Sequence, residues 1–145
     1  MSANSTLLAT LILQVQDNEN SGQTIVNRNV PQFSFQAVQS PYAGYVTVQP
    51  GASAIVLVPN GTVAHFFFVR NATTQTTGNL SGYALGVGWI DSLLAVTNTT
   101  SILPGGFVLQ ANQSAANNSA GGFTELNISA AGSGQPLVAE YLWAL

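Results

Sequence analysis

His65 is the only histidine in a chain of 145 residues that has no cysteine and no lysine, so acid–base or nucleophilic chemistry would have to begin there. An imidazole works as a catalyst only when a nucleophile or carboxylate is held within hydrogen-bond reach. His65 sits between Ala64 and Phe66 in an apolar run, the setting of a histidine held in a strand or at a subunit contact. The carboxylates are Asp17, Glu19, Asp91, Glu125 and Glu140. A paired-carboxylate glycosidase site would draw on Asp91, Glu125 and Glu140. Asp91 follows Trp89-Ile90 and Glu140 precedes Tyr141, neighbours of the kind that line sugar clefts. Asp17 and Glu19 lie in an oxygen-rich run, Gln16-Asp17-Asn18-Glu19-Asn20. That run lacks the acidic ladder and closing glutamate of a calcium loop and reads as a solvated turn. No residues have metal-ligand spacing, so no metal and no cofactor are expected. Gly82-Tyr83-Ala84-Leu85-Gly86-Val87-Gly88 has no lysine and no following helix, so it does not make a phosphate loop. Its glycines instead let a neighbouring side chain or backbone approach closely. The chain is expected not to be an enzyme.

The scarcity of charge says more than the candidate catalysts do. Lys, Arg, Asp and Glu make up 5% of the chain, against about a quarter in ordinary soluble domains. Asn, Gln, Ser, Thr and Gly take their place while the apolar share stays at 46%. A β-rich monomer relies on charge, lysine above all, to keep its sheet edges from pairing with neighbours. A chain without it is expected to have its edges and faces covered in an assembly. Two arginines and a formal net charge of −3 also argue against a nucleic-acid partner, which needs about six to ten phosphate contacts. With arginine so scarce, Arg28 and Arg70 are each expected to have an assigned partner, Arg28 at an interface.

The elements that would position these residues are strands. Short apolar runs alternate with Gly, Pro, Asn and Thr clusters, the pattern of an all-β sandwich. Strands are predicted over Thr6–Gln16, Gln32–Val38, Gly44–Val48, Ser53–Val58, Val63–Arg70, Tyr83–Ile90, Phe107–Gln110, Phe123–Ser129 and Leu137–Trp143. Short pieces are predicted at Ser92–Val96 and Thr100–Leu103. No segment carries a capped 3.6-residue stripe, so little helix is expected. The fold class is an antiparallel, jelly-roll-like β-sandwich of about eight to ten strands, a single domain over residues 1–145 with residues 1–8 as an extended N-terminal arm. The Met1–Leu13 stretch lacks a basic start and a small-residue cleavage site, so it reads as a first strand and not as a secretion signal. No apolar run reaches the ~18 residues of a membrane span, and no membrane partner is expected.

Three further patterns bear on function. The strands around Phe66–Val69 and Leu137–Trp143 are apolar on both faces, where a small sandwich normally leaves one face polar; part of the outer surface is expected to meet another subunit. Val48–Asn60 and Ile102–Asn112 share a strand end, a Pro-Gly turn, an apolar strand and an asparagine-bearing loop. Eight tripeptides fit the N-glycosylation pattern, beginning at Asn4, Asn60, Asn71, Asn79, Asn98, Asn112, Asn117 and Asn127, and they read as turn chemistry of β loops.

Four segments taken in order carry a resemblance: Pro50-Gly51-Ala52-Ser53-Ala54-Ile55-Val56-Leu57-Val58-Pro59, Phe66-Phe67-Phe68-Val69-Arg70-Asn71, Leu103-Pro104-Gly105-Gly106-Phe107-Val108-Leu109 and Val138-Ala139-Glu140-Tyr141-Leu142. Together they resemble the small jelly-roll-type decoration and cement proteins of tailed-bacteriophage virions, over residues 44 to 145. The resemblance implies a non-enzymatic virion structural protein, a symmetric homo-oligomer with a trimer favoured. Its partners would be itself and a major capsid or tail protein, and its place the virion, assembled in the host cytoplasm. Ser2, Leu7, Leu8, Arg28, Tyr141 and Trp143 are the expected oligomer or lattice contacts. The alternative is a sandwich that binds glycans or a host-surface receptor by stacking on Tyr42, Tyr45, Tyr83 and Trp89.

Overall fold

The computed structural model describes residues 5–9, 12–17, 23–29, 33–37, 42–74, 78–111, 121–130 and 133–144, the first four stretches as strand backbone. Strands β1 (Ser5–Ala9) and β4 (Phe33–Ala37) form one antiparallel pair, and β2 (Ile12–Asp17) and β3 (Gln23–Asn29) another. Eight further strands follow: β5 (Tyr42–Val48), β6 (Ile55–Val56), β7 (Phe66–Asn71), β8 (Leu85–Asp91), β9 (Val96–Ile102), β10 (Phe107–Ala111), β11 (Phe123–Ser129) and β12 (Leu137–Ala144). They form two four-stranded sheets, ordered β10-β7-β12-β5 and β6-β11-β8-β9.

The pairing is nested. β8 pairs with β9, β7 with β10, β6 with β11 and β5 with β12, all antiparallel. A long double-stranded ribbon folded over on itself gives this arrangement, and the β7–β12 and β8–β11 pairings lock the fold-over. Between β5 and β12 every connection except β8–β9 crosses from one sheet to the other. This is the jelly roll that the strand pattern predicts.

The sequence dictates this locally through period-two alternation. Leu85, Val87 and Trp89 of β8 point inward, as do Phe67 and Val69 of β7 and Leu137, Ala139 and Trp143 of β12. Leu126 and Ile128 of β11 and Val48 of β5 complete the layer between the sheets. Full burial stabilises each large member by about 1.5–3 kcal/mol. Phe67 sits at the centre, edge-on to Trp89 at 5.3 Å and to Phe123 at 5.1 Å between ring centroids. Gly44 leaves room for the Tyr141 ring, whose hydroxyl would lie 3.0 Å from a Cβ at that position. The two similar segments both prove to be sheet-to-sheet crossings, β5 to β6 and β9 to β10, each turning at a Pro-Gly pair. Gly51 at φ +70° and Gly105 at φ +81° supply the left-handed backbone that these turns require.

Asn71 fastens one end of the sandwich. It is fully buried, and its Nδ2 donates to the carbonyls of Tyr83 (2.7 Å) and Ile102 (2.9 Å). Its Oδ1 accepts from the Thr73 N–H at 3.2 Å. One side chain thereby ties the end of β7 to the chain entering β8 and to the end of β9 in the opposite sheet.

Several boundaries differ from expectation. The segment Thr6–Gln16, read as one strand, is divided between β1 and β2, and Ser5–Ala9 pairs with β4, so residues 5–8 of the expected arm lie in a paired strand. β3 is not among the expected strands, because Gln23-Thr24-Ile25-Val26-Asn27-Arg28-Asn29 lacks an alternating pattern. The piece expected at Ser92–Val96 is a turn up to Ala95, since the Asp91 Oδ1 accepts from the N–H groups of Leu93 and Leu94 and closes the backbone on itself. β9 instead starts at Val96 and runs through Thr97-Asn98-Thr99-Thr100, recruited by its full pairing with β8.

Candidate functional site

The outward face of the β10-β7-β12-β5 sheet is where the anomalous side chains gather. Because Val108, Phe67, Val69, Tyr141 and Trp143 face the core, alternation turns Leu109, Phe68, Leu142 and Ala43 outward. Register places these four side by side across all four strands. The next row by register is Ala111, Phe66 and Ala144, of which Phe66 and Ala144 are buried. Phe107 is 54% exposed and Leu109 40%, both on the sheet-edge strand β10. The Phe107 ring tilts over Phe68 at 5.8 Å.

A polar row borders this apolar band: Arg70, Glu140 and Tyr45 are register partners, with Phe107 at the β10 end. The Arg70 Nε lies 2.6 Å from the Glu140 Oε2. Its N–H makes no aligned hydrogen bond, so the contact is one of charge. Tyr45 donates its hydroxyl to Glu140 Oε1 at 2.9 Å. An ion pair this exposed contributes about 0–1 kcal/mol, so its effect lies in fixing a polar margin and not in stabilising the fold. A second exposed apolar feature is the β8–β9 turn, with Leu93 and Leu94 at 67% and 69% exposure. The turn is anchored by Ser92, whose N–H donates to the Gly122 carbonyl at 2.9 Å and whose Oγ accepts from the Gly122 N–H at 2.7 Å.

The residues singled out in the sequence fall in different places. Ser2 lies outside the described residues; Leu7 and Leu8 lie in β1 and Arg28 in β3. Trp143 is buried and stacked on Tyr42 at 4.1 Å, and Tyr141 packs against the core, so both belong to the inner face of β12. The outward apolar residues of that strand are Val138 and Leu142, one residue out of phase, and Ala144 on the same side is buried. Trp89 lies within the core and Tyr83 packs against it, so burial removes Trp89 from any stacking platform. Tyr42 and Tyr45 remain exposed. The parity signal for Trp89 was present, since it shares a face with Leu85 and Val87.

Among the described residues the candidate chemistry does not converge. The His65 backbone N–H donates to the Ala144 carbonyl at 2.9 Å, and the imidazole Nδ1 is buried without a hydrogen-bond partner. Among the described residues no carboxylate pairs with it, and no three His, Asp or Glu side chains could jointly hold a metal ion. Of the tripeptide asparagines, Asn71 is fully buried, and Asn79 accepts from the Ser81 N–H within its own turn. Asn98 and Asn127 bond backbone carbonyls two residues before them. These are local side chain–backbone bonds, in a turn at Asn79, within strand β9 at Asn98 and beside the β11–β8 register shift at Asn127. Among the described residues no helix is long and apolar enough to cross a membrane. No protein-family model, curated protein or solved structure matches the chain.

Proposed function

We propose that this chain is a non-enzymatic virion structural protein, a capsid decoration or cement subunit that self-assembles and binds a capsid or tail lattice. The observation that carries the reading is the row Leu109, Phe68, Leu142 and Ala43, an apolar stripe on the outer face of a sheet whose inner face already supplies the core. Large apolar patches on a folded surface mark interaction sites. The near absence of charge fits the same role, since a surface buried against a neighbour has no need of charge to prevent association. Adhesion is the mechanism: each copy contributes a modest contact, and a closed oligomer, a trimer in the favoured form, engages several lattice sites at once. Linked contacts of this kind raise overall avidity by about 10²–10⁴ over a single one. The Arg70–Glu140–Tyr45 row sets the polar rim of the contact.

The test is immunogold electron microscopy of virus particles purified from the source of the gene, with antibody raised against the purified chain. Label at repeated positions on intact particles is the expected result. Label confined to unassembled lysate fractions would contradict a virion role. A second reading, a module for glycans or a host-surface receptor, is supported by the exposure of Tyr42 and Tyr45.

A further inference from the structure

The outward face of the other sheet has the opposite chemistry. With Leu85, Val87 and Trp89 committed to the core, β8 presents Gly86 and Gly88 outward. Register sets Ser129 and Ser101 on either side of Gly86, and Asn127 and Thr99 on either side of Gly88. The missing side chains leave a groove of about 380 Å³ between these polar flanks. A smaller hollow of about 230 Å³, lined by Val56, Asn60, Glu125 and Asn127, adjoins it through the shared Asn127.

A β-bulge orders the junction. The β11–β8 register shifts between Thr124 and Asn127, and Glu125 adopts φ +51°, left-handed backbone that a non-glycine residue rarely takes. The irregularity keeps Leu126 fully buried while Glu125 lines the outer hollow, the re-aiming of a side chain that bulges perform. Asn127 donates its Nδ2 to the Glu125 carbonyl at 2.9 Å, which fixes the amide and leaves Oδ1 uncommitted beside Gly88. The hydroxyls of Ser129, Thr99 and Ser101 have no partner among the described residues.

We infer that this double groove binds a neutral, polyhydroxylated ligand, a short oligosaccharide segment lying across β11, β8 and β9. The chemistry selects that class. Hydroxyl and amide groups both donate and accept, matching sugar hydroxyls, and Glu125 adds an acceptor able to bridge neighbouring ones. No Arg, Lys or His lines either hollow, so nothing there compensates a phosphate or carboxylate. The larger hollow alone has the volume of a small-molecule site. The inference is independent of the assembly role, which uses the outer face of the opposite sheet.

The test is amide chemical-shift mapping by NMR with four probes, maltotriose, cellotriose, chitotriose and mannotriose, each added to about 20 mM to reach the millimolar affinities of weak sites. At least one is expected to shift amides within residues 86–88, 99–101 and 125–129. Thr99→Val keeps shape and strand preference on an exposed edge position, and it should weaken that binding about fivefold, the effect of one lost hydrogen bond. The inference is overturned if none of the four probes shifts these amides, if Thr99→Val binds as well as the native chain, or if the shifts map to Tyr42 and Tyr45.

Discussion

Replacing Asn71 with alanine is expected to lower the unfolding free energy by about 2–5 kcal/mol, a large share of the roughly 5–15 kcal/mol that holds a domain folded. The size follows from what is left behind. The Asn71 Nδ2 donates to two carbonyls, those of Tyr83 and Ile102, at a position with no solvent exposure. Removing the amide strands both acceptors in the interior, and a buried unpaired polar group costs its full desolvation penalty. The Thr73 N–H loses its acceptor as well. Asn71→Asp should be at least as damaging, because it keeps an acceptor where donors are needed and buries a charge. Urea unfolding followed by circular dichroism measures the loss. A change below about 1 kcal/mol would show that these bonds do not tie the sheets together.

Phe67→Ala is expected to cost about 3–5 kcal/mol. Phe67 is fully buried between the sheets and meets Trp89 and Phe123 edge-on, so truncation forfeits the transfer energy and two aromatic contacts and leaves a cavity in a layer with little room to collapse. Phe107→Ala makes the informative contrast. Phe107 belongs to the same stretch of sheet but faces outward at 54% exposure, and its truncation in the dilute, unassembled chain should cost under about 1 kcal/mol. Thermal and urea unfolding at low protein concentration separate the two. Equal losses would contradict the division of this sheet into a core face and a contact face.

The strands could be read wherever one face alternates cleanly: Phe123–Ser129 matches β11 at both ends, and Leu137–Trp143 matches β12 to within one residue. The Pro-Gly turns were equally legible, because their geometry is a local property of those two residue types. What was not local was missed. β9 begins with Val96-Thr97-Asn98-Thr99-Thr100, a run with no apolar face, and it becomes a strand because β8 pairs with it along its length. The bulge at Glu125 depends on a register between β11 and β8 that neither strand specifies alone. For β12 both faces are apolar, so alternation gives two sets of residues without saying which one faces the core. Tyr141 and Trp143, expected at the contact surface, lie on the inner face instead, where the larger aromatic set fills more volume. Of the asparagine tripeptides, Asn79 is turn chemistry as expected, Asn98 lies within strand β9, and the inter-sheet bonding of Asn71 needed three dimensions to see.

The central proposal is that the apolar band on the outer face of the β10-β7-β12-β5 sheet is buried against other copies. Its most direct test is the mass of the purified protein in solution, by light scattering behind size-exclusion chromatography over a dilution series. The native chain should run as a closed multiple of its 15.0 kDa mass that survives dilution. Leu109→Glu, which places a charge at the β10 end of the apolar row, on an exposed edge strand, should run as a folded monomer. A native chain that stays at 15.0 kDa at every concentration would contradict the account.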